Sequence, residues 1–363
     1  MTRSEIGFAY QSFKWTNSAR DKAGVTCVIV GLRNKQNKDK YIYFDDKMHR
    51  VNNINPYLSD GPTRFLENRE TPISCLPKIS SGNYTGHAVS LSLSDEEKKE
   101  LLINYPEAKN LVKILLGSQE FINSETRWCL WINNNQRLFA ESIPPIKKRI
   151  KQVKDARLSS KDKSANQIAN RPHQFRDTKE TTTTSVIIPT VSSELRKYIP
   201  IGFIDKAIIV SNRNHIVYDT EPFVFGVVSS RMHNVWIKSV AGRLETRINY
   251  SSDMCYNNFP IPPISEAHKK EIERRVYLIL EEREAHSEKT LAQLYDPDKM
   301  PDGLREAHHQ NDLAVERCYR SKPFESDEER LEYLFKLYEQ MIVEEEAMGT
   351  LFEVEVKTKK RKK

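Results

Sequence analysis

Cysteine is scarce in this sequence. The chain has five cysteines in 363 residues, and no two of them form a C-x-x-C pair. Scattered cysteines predict neither a disulfide framework nor a zinc site, and they suit a reducing compartment. No apolar run approaches the roughly 18 residues of a membrane-spanning helix, and the first residues lack the apolar core of a signal peptide. We therefore predict a cytoplasmic protein that does not enter a membrane.

Motifs of enzyme active sites are also missing. The sequence contains no P-loop, no nucleophile elbow and no H-E-x-x-H zinc motif. His308 and Asp312 have the i, i+4 spacing of metal ligands and His309 lies beside them, but no further ligand set accompanies them. We predict a structural role for these three residues, no bound metal and no catalytic residue in this chain.

Positive charge is concentrated in one interior segment. The whole chain has a formal charge of +7, and residues 145–180 alone contain eleven basic and four acidic residues. Within that segment Ile146, Ile150, Val153 and Leu158 have helical spacing, which predicts a helix with one packed face and one basic face. A solvated surface is the usual explanation of such a face. The strong bias of sign favours contact with phosphates.

Strand and helix signals alternate along the chain. Residues 24–32 (GVTCVIVGL) are a continuous apolar run, which predicts a strand buried on both faces whose sheet partners lie outside this sequence. Ser94, Ser265 and Ser326 each precede an amphipathic stretch and are predicted helix N-caps. We predict an α+β fold, with a mixed β-sheet region containing inserted helices, followed by an α-helical C-terminal region.

A short run near residue 247 has the chemistry of base recognition. Glu245, Arg247 and Asn249 alternate with apolar residues, so an extended backbone would place all three on one face. Arginine pairs with guanine, glutamate accepts from the cytosine amino group, and asparagine pairs with adenine. From these residues alone, a half-buried strand with a solvated outer face is the favoured interpretation.

Several motifs in fixed order resemble the C-terminal portion of MmeI-like DNA adenine methyltransferases, many of which are single-chain restriction–modification (type IIG/IIL-like) enzymes. They are SFKWTNSARDKAGVTCVIVGL (12–32), INPYL (54–58), RWCLWI (127–132), FRD (175–177), IPTVSSELRKYIPIGF (188–203), SSRMHNVWIKSVAGRLETRINYSSDMCYNNFPIPPIS (229–265) and LYDPDKMPDGLREAHHQNDLAVERCY (294–319). The resemblance covers essentially the whole chain. It changes the favoured interpretation of the run around residue 247 to base recognition.

The resemblance implies how the chain is divided into domains and which cofactor the parent enzyme uses. Residues 1–35 would be the last strands of a methyltransferase catalytic domain, 36–264 a DNA target recognition domain, 265–345 a helical C-terminal domain, and 346–363 a basic tail, predicted to be disordered. S-adenosylmethionine is implied as the cofactor of the parent enzyme. This chain has no glycine-rich loop for it, and Asn55-Pro56-Tyr57, with a single proline, is interpreted as a turn.

The resemblance also assigns candidate site residues. Glu245 and Arg247, with Asn249, lie where family members recognise base pairs. Double-stranded DNA is the expected partner, together with a methyltransferase catalytic domain in the same or a separate polypeptide. A stand-alone specificity subunit and a non-specific nucleic-acid-binding remnant stay open as alternatives. The predicted phosphate contacts come from the basic segment, from the pattern SSELR at residues 192–196, and from the start of the run near residue 247. They are Lys147, Lys148, Lys151, Arg171, Arg176, Ser192, Ser193, Arg196 and Arg243.

Overall fold

The computed structural model of the chain describes residues 4–15, 25–44, 47–61, 63, 65–244 and 247–360. Its strands are β1 (Ser4–Trp15), β2 (Val25–Asn34), β3 (Lys40–Phe44), β4 (Lys47–Val51), β5 (Ile79–Ser81), β6 (Ser92–Leu93), β7 (Val112–Leu116), β8 (Trp128–Leu130), β9 (Ser185–Pro189), β10 (Val191–Ser193), β11 (Gly202–Ile204), β12 (Ile208–Val210), β13 (Asn214–Val217), β14 (Gly242–Leu244) and β15 (Arg247–Asn249).

Helices are inserted between these strands and dominate the C-terminal third. They are α1 (Asp95–Asn104), α2 (Ser118–Asn123), α3 (Arg137–Ser142), α4 (Pro144–Leu158), α5 (Lys163–Gln167), α6 (Pro222–Ser229), α7 (Arg231–Val240), α8 (Glu266–Glu284), α9 (Leu291–Leu294), α10 (Asp302–Glu316) and α11 (Asp327–Lys360). The predicted α+β class is confirmed. None of the helices in the described part of the chain combines the length and the apolarity that crossing a bilayer requires.

The N-terminal sheet has the strand order β2-β1-β3-β4, with β2 at its edge. Ala9 and Ile42 are buried on one of its faces. Two-sided burial of the apolar strand is wrong for this chain, because Val28, Ile29 and Val30 are each at least 40% exposed. An edge strand has a neighbour on one side, and within the described residues nothing covers β2 further.

Two mixed sheets form the middle of the molecule. One has the order β12-β7-β8-β6 and the other β11-β9-β13-β5. β9 and β13 are buried along their whole length, which is typical of strands covered on both faces. Asn83, in the loop after β5, joins the second sheet to a segment far along the chain, because its amide donates to Lys179 O (3.0 Å) and to Val210 O (3.1 Å).

The largest apolar core continues from the mixed sheets into the C-terminal helices. It includes Val186 and Ile188 of β9, Trp236 of α7, Ile272 of α8 and Phe335 of α11. The side chains therefore pack as one core across residue 264, where the sequence predicts a domain boundary.

Local signals located most helix ends. Ser94 caps α1 in a capping box with Glu97, and Ser265 caps α8 by accepting from His268 N. Ser326 accepts from Glu329 N at the start of α11. Residues 222–240 form two helices and not one, because Ser230 has an extended backbone conformation and caps α7 by accepting from His233 N. The C-terminal segment from 346 continues α11 to Lys360.

Candidate nucleic-acid interface

A small three-stranded sheet presents the residues that the sequence singles out. Its strand order is β10-β15-β14, and all its neighbours are antiparallel. In β15 the side chains of Arg247 and Asn249 are exposed, while Ile248 between them is buried. Alternation therefore places Arg247 and Asn249 on one face, as predicted. We call this face the outer face of the sheet.

The expectation that one extended run carries Glu245, Arg247 and Asn249 is wrong. Leu244 pairs directly with Arg247, and Gly242 pairs with Asn249, so these residues form two antiparallel strands of a hairpin. Only two residues separate Leu244 from Arg247, which is the commonest hairpin loop length. The Glu-Thr pair at that position is not one of the typical turn pairs such as Asn-Gly, which is why the sequence did not indicate the hairpin. Glu245 lies outside the described residues.

Buried aromatic residues support the hairpin from beneath. Tyr250 follows β15, and its backbone N donates to Thr190 O (2.7 Å). Its hydroxyl lies 3.0 Å from His233 Nε2. Burial lowers the pKa of His233 to about 3, so the ring is neutral and Nε2 can accept a hydrogen bond from the tyrosine hydroxyl. These contacts hold the end of β15 against α7 and leave the outer face to solvent.

Ser192 and Ser193 of β10 differ in orientation. Ser193 pairs with Arg247 and Ser192 pairs with Ile248. Directly paired side chains share a face, so Ser193 lies beside Arg247 on the outer face. Ser192 is buried beneath the sheet and is not presented to a ligand. Residues 194–195 form a turn, and Ser193 Oγ accepts from Leu195 N (3.3 Å).

Two arginines at or near this sheet are partly engaged with the protein itself, one by a hydrogen bond and one by burial. Arg243 on β14 is exposed, and its Nη2 donates to Lys238 O (2.7 Å). Arg196 follows the turn after β10 and is half-buried, which lowers its pKa because burial disfavours the charged form.

The basic helix α4 presents lysines to solvent, as predicted. Lys147, Lys148 and Lys151 are exposed, and Ile146, Ile150 and Val153 are buried on the opposite face. The predicted stripe was wrong at its end, where Arg157 is buried and Leu158 is 58% exposed. Residue 157 is eleven positions after Ile146, about 20° from it around the helix, whereas residue 158 is about 120° away.

Other arginines of the basic segment bind the protein itself. Arg149 forms an ion pair with Glu97 and donates to Ser90 O and Ser92 O. Arg171 donates to Phe175 O (3.3 Å) and Arg176 O (2.6 Å). Arg176 is exposed, and its guanidinium lies 5.7 Å from the centre of the Tyr84 ring. The lysines of α4 and Arg176 are thus the most accessible of the predicted phosphate contacts in this segment.

His308 and Asp312 of α10 make structural contacts, whereas the neighbouring His309 is exposed. His308 is buried, lies 2.7 Å from the Tyr295 hydroxyl through Nε2, and stacks on Tyr198 with ring centres 4.2 Å apart. Asp312 accepts from the hydroxyl of Tyr198 (2.6 Å) and from Arg231 N (2.7 Å). Within the described ranges, no group of three or more His, Cys, Asp or Glu residues has the arrangement of a metal site.

Comparison with protein-family models matches three consecutive parts of the chain. Residues 60–263 match the MmeI target recognition domain, residues 264–344 the MmeI C-terminal domain, and residues 1–44 the MmeI DNA-methyltransferase domain. The first of these matches covers more than half of the chain.

Two relatives span longer polypeptides. The chain is 46% identical over 338 residues to DNA methyltransferase A of Bacillus subtilis (strain 168), which covers 93% of this chain and 38% of that protein. It is 37% identical, with a TM-score of 0.85, to the type IIL restriction-modification enzyme MmeI solved in complex with DNA, which covers 94% of this chain and 46% of that one. The chain thus spans less than half the length of either relative, and it belongs to the MmeI family.

Proposed function

We propose that this chain is the part of an adenine-N6 DNA methyltransferase, of restriction–modification type, that recognises the target sequence in double-stranded DNA. The observation that carries the proposal is the outer face of the β14–β15 hairpin, where Arg247 and Asn249 are exposed side by side. A two-stranded ribbon fits the major groove of B-DNA, where each base pair has a distinct pattern of donors and acceptors.

The spacing of the two side chains suits successive base pairs. Alternate residues of a strand are about 6.8 Å apart, and base pairs are stacked about 3.4 Å apart. Arg247 would bind a guanine through O6 and N7, and Asn249 an adenine about two steps away. Glu245 would accept from the cytosine amino group opposite that guanine, so that Glu245 and Arg247 would recognise the two bases of one pair.

A second set of residues would bind the DNA backbone. Lys147, Lys148 and Lys151 on α4, with Arg176, present exposed positive charge, and Arg196, Arg243 and Ser193 lie near the hairpin. Ser192 is buried and Arg171 donates to neighbouring carbonyls, so these two would support the interface without contacting DNA themselves. Such contacts set the position of the protein on the duplex and carry no sequence information.

Strands β1 to β3 of the exposed sheet β2-β1-β3-β4 lie in the part of the chain that matches the MmeI DNA-methyltransferase domain, and the sheet would pack against the rest of a catalytic domain. Apolar side chains are exposed on both faces of β2, with Val28, Val30 and Leu32 on one face and Ile29, beside Phe8 of β1, on the other. Exposed apolar patches of this kind mark protein interfaces. The named relatives are a DNA methyltransferase and a restriction-modification enzyme bound to DNA. We therefore propose that a catalytic domain that uses S-adenosylmethionine, in the same polypeptide or a separate one in the cytoplasm, acts with this chain.

Selection of duplexes from a random pool at near-physiological salt tests the proposal. The chain should enrich a defined motif. Arg247→Ala should relax one position of that motif, at a cost of about 1–3 kcal/mol in binding to the preferred sequence, because one bidentate base contact is lost. The Glu245/Arg247 double alanine variant should relax the same position.

Arg274→Ala is the matched control, since Arg274 is an exposed arginine on α8. It should leave the motif unchanged. If Arg247→Ala returns the same motif with the same preference at every position, base recognition by the hairpin is wrong. Binding that depends on salt and never on sequence would instead favour a non-specific nucleic-acid-binding protein.

A further inference from the structure

Leu244 lies in the same row of the sheet as Arg247. In the register of the hairpin Leu244 is directly opposite Arg247, whose other neighbour is Ser193 of β10. Directly paired side chains share a face, with Cβ atoms roughly 4.5–5.5 Å apart. The outer face therefore carries a row composed of a hydroxyl, a guanidinium and a leucine.

The leucine of this row is open to solvent. Leu244 is 47% exposed and belongs to none of the apolar core clusters of the described residues. Single exposed leucines are common on protein surfaces. What distinguishes Leu244 is its position, directly across the hairpin from the candidate guanine-binding arginine.

The surface next to Leu244 can be approached closely. Gly242 occupies the neighbouring row with Asn249 and Val191. A Cβ added at Gly242 would meet no atom of the described structure within 4 Å. A base edge can therefore reach Asn249 and the side of Leu244 without first displacing a side chain of β14.

We propose that Leu244 selects thymine, by packing against its C5 methyl group at the base pair that adjoins the one contacted by Arg247. The inference rests on the proposed function, in which the outer face enters the major groove. The C5 methyl of thymine is the apolar feature that a side chain meets there. With paired Cβ atoms roughly 5 Å apart and stacked base pairs about 3.4 Å apart, the leucine side chain comes within reach of the pair next to the one that Arg247 contacts.

Replacement of single thymines by deoxyuridine isolates this contact, because it removes the methyl group and keeps every base pair. Each thymine of the selected motif is replaced in turn, and the affinity of the full chain is measured. In the wild-type chain one replacement, beside the position that Arg247→Ala relaxes, should weaken binding about fourfold, the value of one buried methyl group. In Leu244→Ala the same replacement should have no effect.

Two further variants control the comparison. Leu278→Ala removes an exposed leucine from α8 and should retain the full response to deoxyuridine. Leu244→Ile keeps an apolar side chain in the strand and should retain most of it. Thermal melting should be the same for Leu244→Ala and wild type, since the side chain lies outside the core.

The outcomes separate the inference from the proposed function. A motif that loses a position in Arg247→Ala, yet binds equally well whichever thymine is replaced, overturns the role of Leu244 and leaves base recognition intact. Equal responses of wild type and Leu244→Ala at the sensitive position overturn it as well. Failure to enrich any motif overturns both proposals together.

Discussion

Arg157 joins three segments of the chain through backbone carbonyls. Its side chain is fully buried at the end of α4, and it donates to the carbonyl oxygens of Thr85, Gly86, Ile168, Arg171 and Gln174. Burial and the nearby Arg171 lower its pKa to about 10, so the guanidinium still carries its charge at neutral pH. The guanidinium has five N–H donors in a fixed planar fork, whereas a lysine ammonium has three, so arginine can hold carbonyls of both segments at once.

Removal of this side chain should destabilise the protein. We expect Arg157→Ala to lower the free energy of unfolding by about 3–5 kcal/mol, because it leaves a cavity and several buried carbonyls without a donor. Leu158→Ala, one residue along the same helix and exposed, should change it by less than about 0.5 kcal/mol. Urea denaturation of both variants measures the difference, and equal effects would contradict the structural role of Arg157.

Asp312 is a buried carboxyl whose ionisation should affect stability. Burial raises its pKa to about 7, and the charge of Glu316 contributes, while hydrogen bonds from Tyr198 and Arg231 N and the nearby Lys197 act against the shift. A folded-state pKa above the unfolded value means that the native protein holds a proton that the unfolded chain has released. Its contribution is full below about pH 4 and is lost as the pH rises towards 7.

Asp312→Asn tests this dependence. The asparagine has nearly the same shape and does not ionise, so the stability of wild type relative to the variant should fall between about pH 4 and pH 7. Denaturation midpoints of the two proteins, measured side by side across that range, give the difference directly. A difference that rises with pH would mean that Asp312 is stabilised as the carboxylate.

The basic face of α4 should supply affinity without sequence preference. We expect replacement of Lys147, Lys148 and Lys151 by glutamine to weaken DNA binding and to reduce the salt dependence of log K by up to about 0.9 for each lost phosphate contact. The selected motif should not change, because phosphate contacts carry no sequence information. The measurement is a salt titration of binding to the preferred duplex.

A matched triple variant in the C-terminal region controls for the loss of charge. Lys270, Lys322 and Lys336 are exposed, and their replacement by glutamine removes the same number of charges from another part of the surface. That variant should keep the wild-type salt slope. Equal slopes in both triple variants would remove α4 from the proposed interface.

Elements with a regular apolar pattern were predicted better than the short hairpin. The sequence located α8, because Ser265 caps it and Ile272, Val276 and Ile279 repeat at helical spacing. It predicted the packed face of α4 correctly up to Val153, but placed Leu158 on that face in place of Arg157. Burial of an arginine depends on carbonyl groups that other segments provide, and the sequence of the helix does not show them. Strands β14 and β15 have three residues each, too few for their own pattern to determine how they pair.

The continuous core predicts how the molecule unfolds as a whole. Trp236 of α7 is fully buried, with its ring centre 5.1 Å from that of Phe335 and 5.9 Å from that of Tyr338, both on α11. Phe335→Ala should lower the free energy of unfolding by about 3–5 kcal/mol. Because α7 and α10 share this core, their amide hydrogen exchange should accelerate together.

Val343→Ala is the control on the same helix, since Val343 is exposed and its loss should leave exchange in α7 and α10 unchanged. Faster exchange confined to α11 in Phe335→Ala would mean that the C-terminal helices unfold independently. That result would favour the separate domain that the sequence predicts from residue 265.

The order of motifs along the sequence was sufficient to predict the α+β class and the family, and local spacing the shared exposed face of Arg247 and Asn249, because side-chain chemistry and local spacing are properties of the chain itself. Tertiary structure decided that Ser193 and not Ser192 lies beside Arg247, and that Leu244 is its other neighbour. It also decided that Arg157 lies inside. Each of these depends on contacts between segments distant in the sequence, such as β10 with β15, and no local pattern determines which of them meet.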